Sequence, residues 1–299
     1  MKTIHRFLAL AATFVAFVNP CEAALVDAGN GLVNDTTQNL TWVKDGNLWL
    51  TLANESGSAS GFATLVASRS GGWATVGDYG PQNGMMDWFA GQGFAYYLNS
   101  INYKGFSNWR MPTTVNSFAS LGYPDGNPGN PTTSSSELAH LFYVDLGQVA
   151  GASLGVNPGP FVNVQAAGGN DWYWSSPLMP YNAFLFSPAS GLQWNSFSMN
   201  GIAFVWPVRD GLAPVVPTVA QRIASLISLV STVRESRGMV AKLKLSQTYY
   251  SVPDVPATCA VLAAFVRNFR EEVRGPRVAD LRAQVLADTQ LLQSAVGCK

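Results

Sequence analysis

The chain has 299 residues and carries 18 basic against 18 acidic side chains. That neutrality argues against a nucleic-acid partner, which selects for a strongly basic chain. A hydrophobic share of 47% fills real cores, and the length suits one large domain or two ordinary ones. Beyond the N-terminal region no run approaches the ~18 apolar residues of a bilayer span, so no transmembrane helix is expected in the mature chain.

Lys2 and Arg6 form a short basic region, and Phe7 to Val18 is an unbroken apolar or small run. It has the length of a secretory signal core and is too short to cross a bilayer. Asn19-Pro20 breaks the run and Cys21-Glu22-Ala23 supplies small residues at the two positions a signal peptidase reads. Residues 1–23 are therefore expected to be a signal peptide cleaved after Ala23, with Ala24 as the other option. Cys21 stands where a lipoprotein carries its acylated thiol, but Val18-Asn19-Pro20 departs from the aliphatic-then-small pattern such an anchor needs. The mature protein is expected to be secreted, periplasmic or at the cell surface. Cleavage removes one of three cysteines and leaves Cys259 and Cys298, which are expected to pair in an oxidising compartment.

The rest of the chain has two compositions. All nine Trp lie between Trp42 and Trp206. Residues 24–212 hold 5 basic against 11 acidic side chains, a net of −6; residues 213–299 hold 11 against 6, a net of +5. The expected division is 24–211, a linker over 212–217 stiffened by Pro214 and Pro217, and 218–299.

In the first part, Ala24–Asp27 and Gly31–Asp35 flank the turn formers Gly29-Asn30-Gly31, and Asn39–Val43 alternates as a strand does. Residues 85–100 have helical apolar spacing (Met85, Met86, Trp88, Phe89, Phe94, Tyr97, Leu98), which Gly91 and Gly93 weaken. A second helix is expected to start at Ser134 or Ser136 with Glu137 favouring its positive end, carrying Leu138, Leu141, Phe142 and Val144 inward. The Gly122–Thr133 loop lies between them. From Asp171 strands return: Trp172–Trp174, Ala183–Phe186, Leu192–Phe197 and Ile202–Val208, read as one antiparallel meander. The second part is helical, with i, i+3, i+4 apolar spacing over Val219–Val233, Met239–Tyr249, Thr258–Val273 and Val278–Val296. Gly275-Pro276 leaves so short a link that the last two helices must run antiparallel, which brings Cys259 and Cys298 together. The fold class is α+β followed by a C-terminal all-α helical bundle.

Several segments of the first part, in order, resemble the DUF1566 family, also called Lcl C-terminal-like domains. They are Gly31-Leu32-Val33-Asn34-Asp35 with Leu40-Thr41-Trp42, then Gly105-Phe106-Ser107-Asn108-Trp109-Arg110-Met111-Pro112-Thr113, then Ser136-Glu137-Leu138-Ala139-His140-Leu141-Phe142-Tyr143, Tyr173-Trp174-Ser175-Ser176 and Val205-Trp206-Pro207-Val208-Arg209. The Trp-Arg-Met-Pro-Thr element is the specific one. The resemblance implies a compact C-type-lectin-like domain with short antiparallel strands and two helices, of a kind found on bacterial exported and surface proteins. The helical part is similar to a FIMAH-type domain in its helix periodicity and cysteine placement, and reads as a stalk, attachment or assembly element.

Catalytic groupings are scarce. His140 is the one histidine after the signal, two distant cysteines cannot build a zinc site, and there is no G-x-S-x-G elbow or phosphate-binding loop. No cofactor is expected; the one cation considered is Ca²⁺, for which Asp125, Asn127 and Asn130 share a loop and Asn108, Asn170 and Asp171 can approach, without EF-hand spacing. These oxygens read first as turn formers. Trp109 and Arg110 are binding candidates, although an Arg beside a Trp also reads as a structural pair with Glu137 or Asp171, as do Trp206 and Arg209. Trp172, Tyr173, Trp174, Tyr181 and Trp194 are candidates for a sugar-stacking platform, against core packing. Arg267, Arg270, Arg274 and Arg277 can meet an anionic polymer, dock on the acidic part or form a solvated face. The expectation is a non-enzymatic binding or surface-adhesion protein whose partner is a polysaccharide or cell-surface polymer. A structural or assembly component of the bacterial surface or matrix is the alternative, and a carboxylate hydrolase a distant third.

Overall fold

The computed structural model describes residues 24–80, 83–114, 119–123, 136–167, 169, 171–176, 182–233, 236–275 and 278–299. Residues 1–23, where a signal peptide is expected, three of the Ca²⁺ candidates (Asp125, Asn127, Asn130) and Asn170, together with Tyr181, Ser134 and Arg277, lie outside them. The fold is mixed α and β with antiparallel sheets.

β1 (Leu25–Gly29) and β2 (Leu32–Asp35) form the expected hairpin. Its two turn residues, Asn30 and Gly31, have φ of 53° and 78°, the left-handed pair that matches the twist of a two-residue hairpin. β3 (Leu40–Val43) pairs with β2, and β8 (Val208–Asp210) pairs with β3 on one side and β4 (Trp109–Arg110) on the other, giving the order β1-β2-β3-β8-β4. A second antiparallel sheet holds β5 (Tyr173–Trp174), β6 (Asn182–Ser187) and β7 (Leu192–Ser198).

The meander therefore has three strands, and the expected fourth is corrected. Ala203 and Phe204 make only single bridges, to Met86 and Tyr173, and the chain then joins the first sheet as β8. The cause is burial. Ala203 to Trp206 are all apolar and all buried, so the segment threads between layers where an alternating strand would show one face to water.

Both sheets have core on both faces. Leu32 and Val43 join one apolar cluster with the helices α1 (Leu48–Glu55), α2 (Ala59–Ser68) and α3 (Trp88–Ser100). Val33 and Trp42, one residue away, point into a second cluster with α4 (Glu137–His140), Leu154, Phe161 and Trp206. α1 and α2 were not anticipated: Leu48–Glu55 lacks a clear helical period and Ala59–Ser68 is uncharged, with Gly61 inside. The Ser58 hydroxyl, accepting the Gly61 N–H, caps α2. α3 starts later than its apolar run suggests, because the Asp87 carboxylate caps it by accepting the Ala90 N–H at 2.7 Å. α4 passes into a single π-helical turn at Leu141–Asp145. Leu138, Leu141 and Phe142 are buried, but the wider winding leaves Val144 46% exposed, against the expectation that it packs inward.

Four helices follow: α5 (Val219–Ser231), α6 (Arg237–Ser251), α7 (Val255–Glu272) and α8 (Ala279–Val296). α5 packs on α6 and α8, and α7 on α6 and α8, around a core of their own that includes Ile223, Leu226, Leu243, Phe265, Phe269 and Leu292. Cys259 and Cys298 are disulfide-bonded with Cα atoms 5.5 Å apart. The linker is docked. Ala213 donates to Asn34 Oδ1 at 2.8 Å, and Val216 donates to the Ala28 carbonyl at 2.7 Å. Among the described residues no helix is long and apolar enough to cross a membrane.

Candidate functional site

The aromatic candidates do not form a platform. Tyr173 and Trp174 are fully buried. They are adjacent on β5, so they point to opposite faces of a sheet that is covered on both, Tyr173 into one cluster and Trp174 into the other. A ring without an exposed face cannot stack on a ligand. Trp172 packs partly against the core, and Trp194 alone is substantially exposed, at 43%.

Trp109 and Arg110 are structural. The Trp109 indole is buried and donates to the Tyr103 carbonyl at 3.0 Å. Arg110 forks onto Glu137, with both guanidinium nitrogens 2.8 Å from its two oxygens, and reaches Asp210 Oδ1 at 2.5 Å. Burial alone would lower the Arg110 pKa; the two carboxylates carry it well above its ordinary value instead. Asp171 is not its partner and takes the Ser187 hydroxyl. Arg209 lies over the Phe106 ring at 4.1 Å and donates to Asn108 Oδ1 at 2.8 Å, which commits that oxygen to a cation already. Among the described residues no group of three or more His, Cys, Asp or Glu is placed to hold a metal ion. Arg267, Arg270 and Arg274 are exposed.

The structure instead forms a cleft of about 310 Å³ where the β1–β2 turn, the end of β3, α1, the turn at Tyr103–Gly105 and Val162 meet. α1 supplies one face by helical spacing: Leu48, Thr51, Leu52 and Glu55. Asp45 is fixed by three donors, the Asn47 N–H at 2.9 Å, the Thr51 hydroxyl at 2.6 Å and the Asn163 amide at 3.1 Å. Lys44 pairs with Asp27 at 2.6 Å. Burial works upward on the Asp27 carboxyl, but the Lys44 ammonium and the Gly29 N–H outweigh it and hold the pKa below the ordinary value. The Lys104 ammonium is 5.4 Å from the centre of the Tyr103 ring and 3.4 Å from Asn30 Oδ1. Burial, then the nearby Asp45 and Glu55 charges, push the Tyr103 phenol up to about 12, so it stays a hydrogen-bond donor at every physiological pH.

Backbone strain gathers here. Asn30, Lys104 and Asn163 have φ of 53°, 55° and 53°, and Asn102, one residue before Tyr103, has 51°. Lysine has no side-chain hydrogen bond that eases this conformation, and such positions collect where a side chain must be aimed. The Trp109 ring packs edge-on against Tyr103, 6.0 Å between centroids. Trp109 thus braces the cleft from behind without lining it. Sequence reasoning missed Lys44, Asp45, Glu55, Tyr103 and Lys104. They are separated by up to 60 positions, and all but Glu55, at the end of α1, sit in turns or bends; only Asp45-Gly46-Asn47 carries a local turn signal.

Comparison with protein-family models, with curated proteins and with solved structures returned no match to any of them.

Proposed function

We propose that this chain is an exported, non-enzymatic binding protein of the bacterial cell surface, and that the cleft takes a hydroxyl-rich, uncharged ligand, a repeat unit of a glycan or surface polymer. In this reading the first part is a DUF1566-type, C-type-lectin-like domain, and the helical bundle is a FIMAH-like accessory domain. The observation that carries it is the lining. Lys104, Asp45, Glu55 and the Asp27-paired Lys44 line it beside Tyr103, which supplies both the phenol and the aromatic ring. Mixed charge of both signs gives an ionic ligand little net attraction, whereas alternating donors and acceptors suit hydroxyls, and a ring suits a sugar's apolar face. A binding role is favoured over hydrolysis because Asp45 spends its oxygens on three donors, leaving Glu55 as a single carboxylate where glycoside cleavage uses a pair.

The test is a glycan and surface-polymer array followed by calorimetry. Saturable binding is expected, weakened about tenfold by Tyr103→Ala, since one aromatic contact is worth up to about 1.5 kcal/mol. Glu55→Gln should weaken it less. No binding above background to any polymer overturns the reading. A second reading, an assembly component, is favoured by the −6 and +5 halves, which can pair head to tail between copies. Light scattering separates the two: a stable polymer supports assembly, a monomer with saturable binding supports the first.

A further inference from the structure

The corner between β2 and β3 holds two buried carboxyls on the far side of the sheet from α1, with no part in the cleft. Asp35 is fully buried at the end of β2. Its Oδ1 accepts the Gln38 N–H at 3.0 Å and its Oδ2 accepts the Gln38 side-chain amide at 2.7 Å and the Trp42 indole at 3.3 Å. Asp145 ends the π-helical turn, and its side chain has 0% exposure. Between the two lies the Thr37 hydroxyl, 2.8 Å from Asp35 Oδ1 and 2.5 Å from Asp145 Oδ1.

A hydroxyl has one hydrogen. It can be given to one carboxylate only, and a second ionised oxygen at 2.5 Å would then face a lone pair. Both contacts are satisfied when one carboxyl is itself protonated and donates to Thr37 Oγ. Asp35 is surrounded by donors, so the acid is Asp145. The other charged and titratable groups around it are few. His140 of α4 has Nε2 3.8 Å from Asp145 Oδ1 and 3.4 Å from the Thr37 hydroxyl, and Glu137, earlier in α4, turns its carboxylate to Arg110. Gln38 contributes an uncharged amide at 3.5 Å.

We propose that Asp145 is a pH-sensitive latch: protonated, it ties the π-helical turn to the β2–β3 corner through Thr37, and ionised, it sets a second carboxylate against Asp35 and loosens the turn. The turn has work to transmit. Tyr143, inside it, donates its hydroxyl to the Gly191 carbonyl at 2.7 Å and accepts the Gly122 N–H at 2.8 Å, so it positions both the β6–β7 turn and the segment before the Gly- and Pro-rich loop. Burial pushes the Asp145 carboxyl up to about 6; the Thr37 bond and His140 oppose the rise and the Asp35 charge adds to it. A carboxyl raised from the ordinary 3.8 stabilises the fold fully in acid below that value and loses this contribution as pH climbs through about 6.

The experiment is a carboxyl-carbon NMR titration of the full mature chain with labelled aspartate, alongside melting temperature against pH. One aspartate carboxyl should titrate near 6 and vanish in Asp145→Asn, and the amide signals of Tyr143 and Gly122 should move with the same midpoint. The wild-type melting temperature should fall by a few degrees between about pH 4 and 7, and Asp145→Asn should flatten that fall. The proposal is overturned if no aspartate carboxyl titrates above about 5, if the two amides ignore the midpoint, or if Asp145→Asn keeps the full slope. Should that variant fail to fold, the wild-type titration decides alone.

Discussion

Replacing Arg110 would remove a fork that fits two oxygens at once and a second contact to a strand 100 residues away. Glu137 would keep only the Thr113 N–H, at 2.8 Å, as compensation for its burial. Arg110→Ala is therefore expected to cost about 2–3 kcal/mol of unfolding free energy, read from urea midpoints. Arg110→Lys should recover less than half, because an ammonium cannot make the parallel pair of bonds. A double-mutant cycle with Glu137→Gln should show coupling of about 1 kcal/mol or more; an Arg110→Ala loss under about 0.5 kcal/mol would contradict the structural role. Glu137 was legible as a partner because it lies in the first turn of a helix capped by Ser136. Asp210 was not, since nothing local says that residues 110 and 210 lie on neighbouring strands. The aromatic candidates failed for a related reason: alternation says which rings oppose one another but not whether both faces of a sheet are covered.

At the scale of elements, glycines 91 and 93 read in the sequence as weaknesses of α3, and the structure gives them the opposite meaning. A Cβ on Gly91 would stand 2.7 Å from Met111 Sδ and 2.9 Å from a Val205 methyl. Gly91 lets the helix lie against the segments that carry Met111 and the buried Ala203–Trp206 run, and Gly93 lets it lie against Ser70, Ala74 and Tyr79. Helix propensity alone would make Gly91→Ala stabilising by about 1 kcal/mol. Overpacking costs about 1–3 kcal/mol, so a net loss is expected, and thermal melts of the variant read the sign directly. A gain in melting temperature would show that Met111 yields freely. The same packing logic explains why the sequence left α1 and α2 unread. Their apolar residues Trp49, Ala53, Phe62, Ala63 and Val66 are defined by what they bury against, while short length, an interior glycine and a lack of charge blur the helical period. The tail helices are longer and punctuated by proline and glycine, and their limits came out within a few residues.

For the whole molecule the decisive feature is that, among the described residues, apolar clusters fall into two sets, one built from residues 25–213 and one from 219–298, with no shared member. Ala213, buried in the first core, and hydrogen bonds at Ala213 and Val216 tie the linker to the first sheet. Reducing the stability of one core should then leave the other's transition in place. The Cys259–Cys298 bond closes a loop of 39 residues, and in the chain-entropy account its loss costs about 4 kcal/mol. For a part of this size that corresponds to a fall of about 15 °C or more. Calorimetry of the Cys259→Ser, Cys298→Ser double variant, which leaves neither partner of the pair as a free thiol, should therefore show the transition of residues 218–299 moving down by that order. The transition of residues 24–211 should stay where the wild type has it, and glycan binding through the cleft should persist below it. If both transitions shift together, the two cores fold as one unit, and the docked linker carries far more coupling than its few hydrogen bonds suggest.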